Sequence, residues 1–344
     1  MKNLNTCIIF ACLTAGFAAT AQVPATRPID HYANAGPYAV ESFLADWTDA
    51  RRDRKVPVRV YVPADAQGPR PVIIHSHGLG GSREGYAYLG KHWASHGYLV
   101  VHLQHLGSDE AVAREAVSGG GMARLKRSVM DPANIINRPA DISFAIDELL
   151  RLNRADSRLK DRVDPDRIGV SGHSFGAFTV LAVSGLALPD ARGNDRNIAD
   201  PRVKAAIAMS SPRPRSDDKT RYDRIYGQIR IPVFHMTGTE DDSIVDDKTR
   251  PVDRRIPFDH TRNATAYLMV LDGGDHMVFA GRAGLRGERS RDAEFHRLIL
   301  AGSTAFWNAH LRGDNLARVY LEEGSFAREL AKSGTLEMKR PSDN

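Results

Sequence analysis

The chain has 344 residues, of which 42% are hydrophobic and 26% are charged, and its formal net charge is +5. This composition is typical of a globular protein and excludes collagen-like, low-complexity and largely disordered chains. Acidic and basic side chains alternate, as in Asp253-Arg254-Arg255, which indicates a solvated surface of mixed charge. Nucleic-acid-binding proteins instead cluster their basic residues, so we expect no nucleic-acid partner.

The first 21 residues have the pattern of a secretory signal peptide. Lys2 precedes a short run of apolar and small residues, and residues 19–21 form an Ala-x-Ala cleavage site before Gln22. The run is too short for a membrane-spanning helix, and no later run is long enough for one. We therefore expect cleavage after Ala21 and a periplasmic or secreted protein with no integral membrane segment.

Both cysteines, Cys7 and Cys12, lie inside this predicted signal peptide. The mature chain, residues 22–344, therefore has no cysteine for a disulfide, a thiolate nucleophile or a cysteine metal site. A large hydrophobic core must supply its stability instead.

Residues 22–37 predict an extended arm, after which apolar segments alternate with helical ones. The predicted strands are residues 38–40 and 56–62, as an antiparallel pair, and then 71–76, 98–103, 168–170, 203–210, 231–236 and 266–271. The predicted helices are residues 85–96, 110–117, 140–152, 175–188 and 291–311, followed by a polar tail. This alternation predicts one doubly wound, mostly parallel sheet with helices on both faces, in a single domain over residues 22–344.

Residues 172–176 read Gly-His-Ser-Phe-Gly and join the predicted strand 168–170 to a helix. This is the pattern of a nucleophile elbow, a strained turn that exposes the hydroxyl group of Ser174. Glycines flank the turn because the strand and the helix approach each other closely there. A serine hydroxyl is a poor nucleophile by itself, so the prediction depends on a base and on a third group that orients the base.

Both partners follow in the chain order that is typical of the α/β-hydrolase fold, namely serine, acid and histidine. Asp241 and Asp242 follow the predicted strand 231–236, and His276 follows the strand 266–271. We predict His276 as the base, Asp242 as the first choice for the acid and Asp241 as the alternative. The apolar residues that follow His276, beginning with Met277, predict a wall that contacts the substrate.

The oxyanion of an acyl-transfer intermediate needs backbone N–H donors that are already in place. We assign one donor to Phe175, which follows the nucleophile, and the other to Leu79 in the turn after the strand 71–76. Residues 211–229 contain too few apolar residues for a lid domain. This minimal cap predicts an open cleft and short-chain acyl groups.

The segment 75–105, the elbow and the loops 240–244 and 274–276 resemble the secreted serine esterase branch of the α/β-hydrolases. They are similar to platelet-activating-factor acetylhydrolases, dienelactone-hydrolase-like proteins and cutinase-type polyester hydrolases, over most of residues 38–311. The resemblance favours Asp242 as the acid. It implies hydrolysis of a small-molecule carboxylic ester through an acyl-enzyme, without a cofactor. The chain lacks the His-Gly-Gly-Gly loop of some lipases and the cysteine nucleophile of dienelactone hydrolases, so specific substrates do not carry over.

Three alternatives stay open at this point. The same triad could cleave amides, as in a secreted peptidase, or the fold could serve as a non-catalytic binding protein. A metal site is the third alternative, because six histidines lie close together in the sequence, namely His75, His77, His92, His96, His102 and His105. They lack the neighbouring acidic residues of a binuclear or zincin-type site, so we expect core or surface histidines and no metal.

The predicted cleavage site can be tested by N-terminal sequencing of protein recovered from the periplasm or medium of a bacterial host. We expect the sequence to begin at Gln22. The variant Ala21→Trp should accumulate as the uncleaved precursor, because signal peptidases accept only small side chains at this position. A mature protein that begins at Met1 would contradict the prediction.

Overall fold

The computed structural model describes residues 27–190, 192–214, 218–243, 245, 248–281 and 289–341. The predicted signal peptide and its cleavage site lie outside the described residues. None of the described helices has the length and apolar character that crossing a membrane requires.

Most of the described strands belong to one nine-stranded sheet. These strands are β1 (Val40–Asp49), β2 (Arg54–Pro63), β3 (Arg70–Ser76), β4 (Leu99–Leu103), β5 (Val163–His173), β8 (Val203–Met209), β9 (Val233–Glu240), β10 (Ala266–Asp275) and β11 (Gly334–Lys339), and β6 (Leu188–Pro189) pairs separately with β7 (Asp195–Arg196). The strand order is β1-β2-β4-β3-β5-β8-β9-β10-β11. The six strands from β4 to β10 in this order are parallel, whereas β1, β2 and β11 run antiparallel to their neighbours.

The described helices cover both faces of this sheet, which confirms the predicted doubly wound architecture. They are α1 (Pro28–Ala33), α2 (Ala87–Ser95), α3 (Glu110–Glu115), α4 (Gly121–Met130), α5 (Pro132–Ala155), α6 (Phe175–Ser184), α7 (Tyr222–Tyr226), α8 (Ile256–His260), α9 (Asp292–Leu311), α10 (Asn315–Glu322) and α11 (Ser325–Leu330). A π-helical turn over Ala116–Gly120 connects α3 to α4.

Two hydrophobic cores lie on opposite faces of the sheet. On one face, α2 and α9 bury Trp93 and Trp307, whose rings meet edge to face at 5.9 Å between centroids. On the other face, α5 and α6 bury an aliphatic core that includes Ile142 and Val180. The central strands are therefore covered on both sides, as their continuous apolar sequences predict.

Both ends of the described chain contain more regular structure than we predicted. The predicted extended arm includes helix α1, in which Tyr32 packs against the ring of Tyr320 from α10. The predicted polar tail instead forms α10, α11 and the edge strand β11. In β11 the half-buried Leu336 and Met338 alternate with charged residues, because an edge strand keeps one side in water, and this dilutes the apolar signal.

Candidate active site

Ser174 lies in the sharp turn between β5 and α6. Its backbone has φ 55° and ψ −116°, a conformation that a non-glycine residue rarely adopts. The turn requires glycine on both sides, because a Cβ atom on Gly172 would overlap the backbone oxygen of Gly176. A Cβ atom on Gly176 would in turn overlap the backbone oxygen of Ser76 at the end of β3. The structure thus contains the strained turn that the sequence predicts.

His276 connects Ser174 to a buried carboxylate. Its Nε2 atom lies 3.0 Å from Ser174 Oγ, and its Nδ1 atom lies 2.7 Å from Asp241 Oδ1. When the Nδ1–H group donates to Asp241, Nε2 is left as the acceptor for the serine hydroxyl. The three side chains follow different strands, β5, β9 and β10, and meet at the carboxyl edge of the sheet.

The acid in contact with His276 is Asp241, and the first choice made from sequence, Asp242, was wrong. Asp241 is fully buried and also accepts a hydrogen bond of 2.8 Å from the hydroxyl group of Thr237. Asp242 is exposed to solvent. The two residues follow the end of β9 directly, where the chain turns: the Asp241 amide donates to the Gly238 oxygen at 3.3 Å and the Asp242 amide to the Glu240 oxygen at 2.9 Å. This turn directs Asp241 towards the histidine and leaves Asp242 in solvent.

Arg254 is the buried counter-ion of Asp241. Its Nη2 atom lies 3.3 Å from Asp241 Oδ1, and its other nitrogen atoms donate to the backbone oxygens of Asp241, Ser210 and Ser211. Burial by itself would raise the pKa of Asp241, but the positive charge of Arg254 and the contact with His276 outweigh it and lower that pKa. We expected the 253–255 charge run to be solvated, and Arg254 contradicts this because only 3% of it is exposed.

Tyr86 and His173 connect the loop after β3 to the histidine loop. The amide of Gly78 donates to the Tyr86 hydroxyl at 3.1 Å, and this hydroxyl lies 2.8 Å from His173 Nδ1. The other ring nitrogen of His173 lies 2.9 Å from the backbone oxygen of His276. Burial, followed by the charge of His276, lowers the pKa of His173 well below its ordinary value. This ring is therefore uncharged and links Tyr86 to the histidine loop through hydrogen bonds. No sequence pattern points to this contact of Tyr86.

The two residues predicted to supply the oxyanion donors border the same cavity as Ser174. Leu79 and Phe175 both line the cavity that Ser174 opens into. Among the described residues, no backbone oxygen accepts a hydrogen bond from the amide of Leu79 or from that of Phe175. Such amides are available to a ligand oxygen, and the N-terminus of α6 adds a favourable dipole for negative charge.

The cavity next to Ser174 has a volume of about 410 Å³ and a mainly apolar lining. Phe178 and Leu181 line it from one face of α6, Pro212, Pro214 and Val245 line it from loops, and further apolar residues come from α4, the β6 region and α7. These further apolar residues are Val129, Met130, Leu186, Ala187, Leu188, Pro189, Ile225 and Tyr226. Since Leu181 is seven residues after Ser174, the cavity extends roughly 10 Å along the helix.

Met277 is not part of this lining, which corrects the predicted substrate wall. The Met277 side chain is half-buried and packs against the core between α2 and α9. Val278 and Phe279, which follow it, are fully buried in the same core. The apolar run after His276 therefore anchors the histidine loop to the protein interior, and the apolar wall of the cavity comes from the residues listed above instead.

The histidine cluster is mostly buried and hydrogen-bonded within the protein. His75 contacts the Ser171 hydroxyl group at 2.8 Å, and His105 contacts Asp141 at 3.0 Å. Burial lowers the pKa of His105, and that of His102, to about 4. Among the residues that the structure describes, no three histidine, cysteine or acidic side chains are placed to hold a metal ion.

Two family models of known proteins match segments of the chain that contain residues of this site. The family model described as platelet-activating factor acetylhydrolase, isoform II, matches residues 47–117, which contain Leu79. The family model described as serine hydrolase (FSH1) matches residues 150–268, which contain Ser174 and Asp241. The chain has the α/β-hydrolase fold. His276 lies beyond both matched segments, so its assignment depends on the geometry described above.

Curated relatives confirm the resemblance to serine esterases. The chain is 29% identical to a platelet-activating factor acetylhydrolase of Canis lupus familiaris over 192 residues, which are 48% of this chain and 39% of that protein. It is 24% identical to cutinase 2 of Thermobifida cellulosilytica over 221 residues, 64% of each chain. Cutinase cut1 of Thermobifida fusca is also 24% identical, over 53% of its length. The chain thus spans about two fifths of the first of these relatives.

Replacing each of the two aspartates separately by asparagine tests which of them orients His276. We expect Asp241→Asn to lower kcat for p-nitrophenyl acetate by about 10³- to 10⁴-fold, because an amide at this position stabilises the wrong tautomer of the histidine. Asp242→Asn is the matched control and should keep the parental kcat. A large loss in Asp242→Asn together with an active Asp241→Asn would contradict the geometry.

Proposed function

We propose that this protein is a serine esterase that hydrolyses carboxylic esters through an acyl-enzyme. The observation that carries the proposal is the contact chain from Ser174 Oγ through His276 to Asp241, with distances of 3.0 Å and 2.7 Å, at a strained elbow. The relatives named acetylhydrolase and cutinase support the same chemistry.

In the first half of the reaction, His276 Nε2 takes the proton of Ser174 as the serine oxygen attacks the ester carbonyl carbon. The amides of Leu79 and Phe175 stabilise the resulting oxyanion. His276 then returns the proton to the leaving alcohol, and the carbon–oxygen bond to the alcohol breaks. In the second half, His276 takes a proton from water, the hydroxide attacks the acyl-enzyme, and the carboxylic acid leaves as Ser174 recovers its proton.

The positive charge that His276 carries during each half-reaction needs a nearby carboxylate. Asp241 supplies it, and its lowered pKa keeps the group ionised over the working pH range. Thr237 and Arg254 fix the carboxylate from its other sides. The imidazole is therefore held in one orientation through both proton transfers.

The apolar cavity along α6 favours esters with a medium-length acyl chain. Its volume of about 410 Å³ exceeds what an acetyl group needs, and its lining offers mainly carbon atoms. This changes the expectation of short-chain substrates, because α4 and α7 enclose a cavity that the sequence of the cap did not reveal. The proposal also includes export by the predicted signal peptide, so these esters would be met outside the cytoplasm.

The decisive variant for the esterase proposal is Ser174→Ala. We expect purified parent protein to hydrolyse p-nitrophenyl acetate and the variant to lose about 10⁶-fold in kcat, since the nucleophile is removed. Turnover of p-nitrophenyl acetate should exceed turnover of the matched p-nitroanilide. Equal ester hydrolysis by parent and variant would rule out the assignment, and faster anilide cleavage would indicate an amidase.

Acyl-chain selectivity can be tested with p-nitrophenyl acetate, butyrate, hexanoate and octanoate. We expect kcat/KM to rise by up to about fourfold for each added methylene group until the cavity is full, because each buried CH2 contributes roughly 0.8 kcal/mol. Ile225→Trp narrows the cavity and should reduce octanoate hydrolysis more than acetate hydrolysis. Ile198→Trp, at an exposed position outside the lining, is the control. A series that falls from acetate onwards would contradict the pocket assignment.

A further inference from the structure

Arg138 is a fully buried cation in helix α5 that contacts His77 and Phe175. It donates hydrogen bonds from Nε to the Thr179 hydroxyl at 2.9 Å and from Nη1 to the Ser108 hydroxyl at 2.8 Å. Nη2 donates to the Ser76 hydroxyl at 3.1 Å and to the backbone oxygen of His77. Each of these acceptors is an uncharged oxygen atom.

The carboxylate nearest to Arg138 in this network already has other cationic partners. Ser76 Oγ contacts His105 Nε2 at 2.9 Å, and His105 Nδ1 contacts Asp141 at 3.0 Å. Asp141 forms ion pairs with Arg52 and Arg54, at 2.9 Å and 2.8 Å. Among the described residues, no carboxylate therefore forms an ion pair with Arg138, although buried charges are usually paired.

Arg138 contacts both segments that supply the proposed oxyanion donors. Through the backbone oxygen of His77 it binds the loop that leads to Leu79. On the α6 side its guanidinium carbon lies 4.5 Å from the centre of the Phe175 ring, and its partner Thr179 donates to the backbone oxygen of Phe175 at 2.8 Å. One side chain thus fixes both donor segments relative to each other.

The positive charge of Arg138 persists at neutral pH. Burial lowers its pKa to about 9, which still leaves the group protonated. A cation that is buried without an anionic partner costs free energy in the resting protein. That cost is offset in any state that places a negative charge nearby, in a region of low dielectric where electrostatic interactions are strong.

We propose that Arg138 is a positioning residue of the oxyanion hole, whose positive charge forms no ion pair among the described residues and stabilises the oxyanion of the tetrahedral intermediate. The proposal rests on the esterase function proposed above. Arg138 touches neither substrate nor nucleophile in this arrangement. It acts through the peptide groups of the two donor segments, which it aligns and polarises.

The test compares Arg138→Met and Arg138→Lys with the parent enzyme in p-nitrophenyl butyrate hydrolysis. Rates are normalised to active sites titrated with a fluorophosphonate. We expect Arg138→Met to lower kcat by about 100-fold with little change in KM, because the loss falls on the transition state. Arg138→Lys keeps the charge but cannot form hydrogen bonds with both segments at once. Its kcat should therefore lie between those of Arg138→Met and the parent.

The inhibition constant of a boronic acid is a second measurement, and it should not change if Arg138 has only a structural role. The tetrahedral adduct of the boronic acid with Ser174 places an oxygen in the oxyanion hole, so the inhibition constant should rise in parallel with the fall in kcat. Arg202→Met is the matched control, since Arg202 pairs with Asp200 and Asp147 at 2.6 Å each. This control should lower the melting temperature and leave kcat for each titrated site unchanged.

The proposal is overturned if Arg138→Met keeps the parental kcat and boronate affinity for each titrated site, whatever its melting temperature. If Arg138→Met does not fold, Arg138→Lys and Thr179→Val decide, since both must lower kcat without raising KM. Loss of Ser174-dependent hydrolysis in the parent itself would instead refute the esterase function. The two failures are therefore distinguishable.

Discussion

The close approach of three backbone segments at one edge of the sheet is the constraint on which the site depends. Helix α6 can start immediately after β5 only because Gly172 and Gly176 leave room for each other and for the backbone of Ser76. This contact forces Ser174 into its strained conformation and places the loop after β3 beside the N-terminus of α6. The nucleophile and both proposed oxyanion donors thus come from one packing arrangement, which the two-sided core of the sheet holds in place.

Two buried arginines, Arg254 and Arg138, hold the parts of this site in place through hydrogen bonds. Arg254 supports the carboxylate that orients His276, and Arg138 supports the segments that carry the amide donors. Arg254 forms an ion pair with Asp241, whereas Arg138 forms no ion pair with the carboxylates that the structure describes, so the two arginines have different parts in the proposed mechanism. Arg254 keeps the Asp241 carboxylate ionised, whereas in the proposal Arg138 interacts most favourably with the negative charge that appears during the reaction. Fixed charges of this kind stabilise a transition state without rearrangement, because folding has already oriented them.

The sequence predicted the features that depend on local pattern and chain order. The parallel strands, the elbow and the positions of Ser174 and His276 follow from apolar runs and glycine spacing. The choice between Asp241 and Asp242 depends on which way the backbone turns after β9, and sequence spacing contains no such information. Strand β11 was missed because an edge strand exposes one side to water. Arg138 was missed because the predicted helix 140–152 begins after it, whereas α5 starts at Pro132 and places Arg138 one turn before the buried Ile142.

The central claim is that Ser174 is the activated nucleophile of an esterase site. Tandem mass spectrometry of the protein after reaction with a fluorophosphonate tests it most directly, because this reagent is attacked by a serine only when a base removes its proton. The account predicts a single adduct, on the peptide that contains Ser174, since this hydroxyl lies 3.0 Å from His276 Nε2. No adduct, or an adduct on another serine, would contradict it.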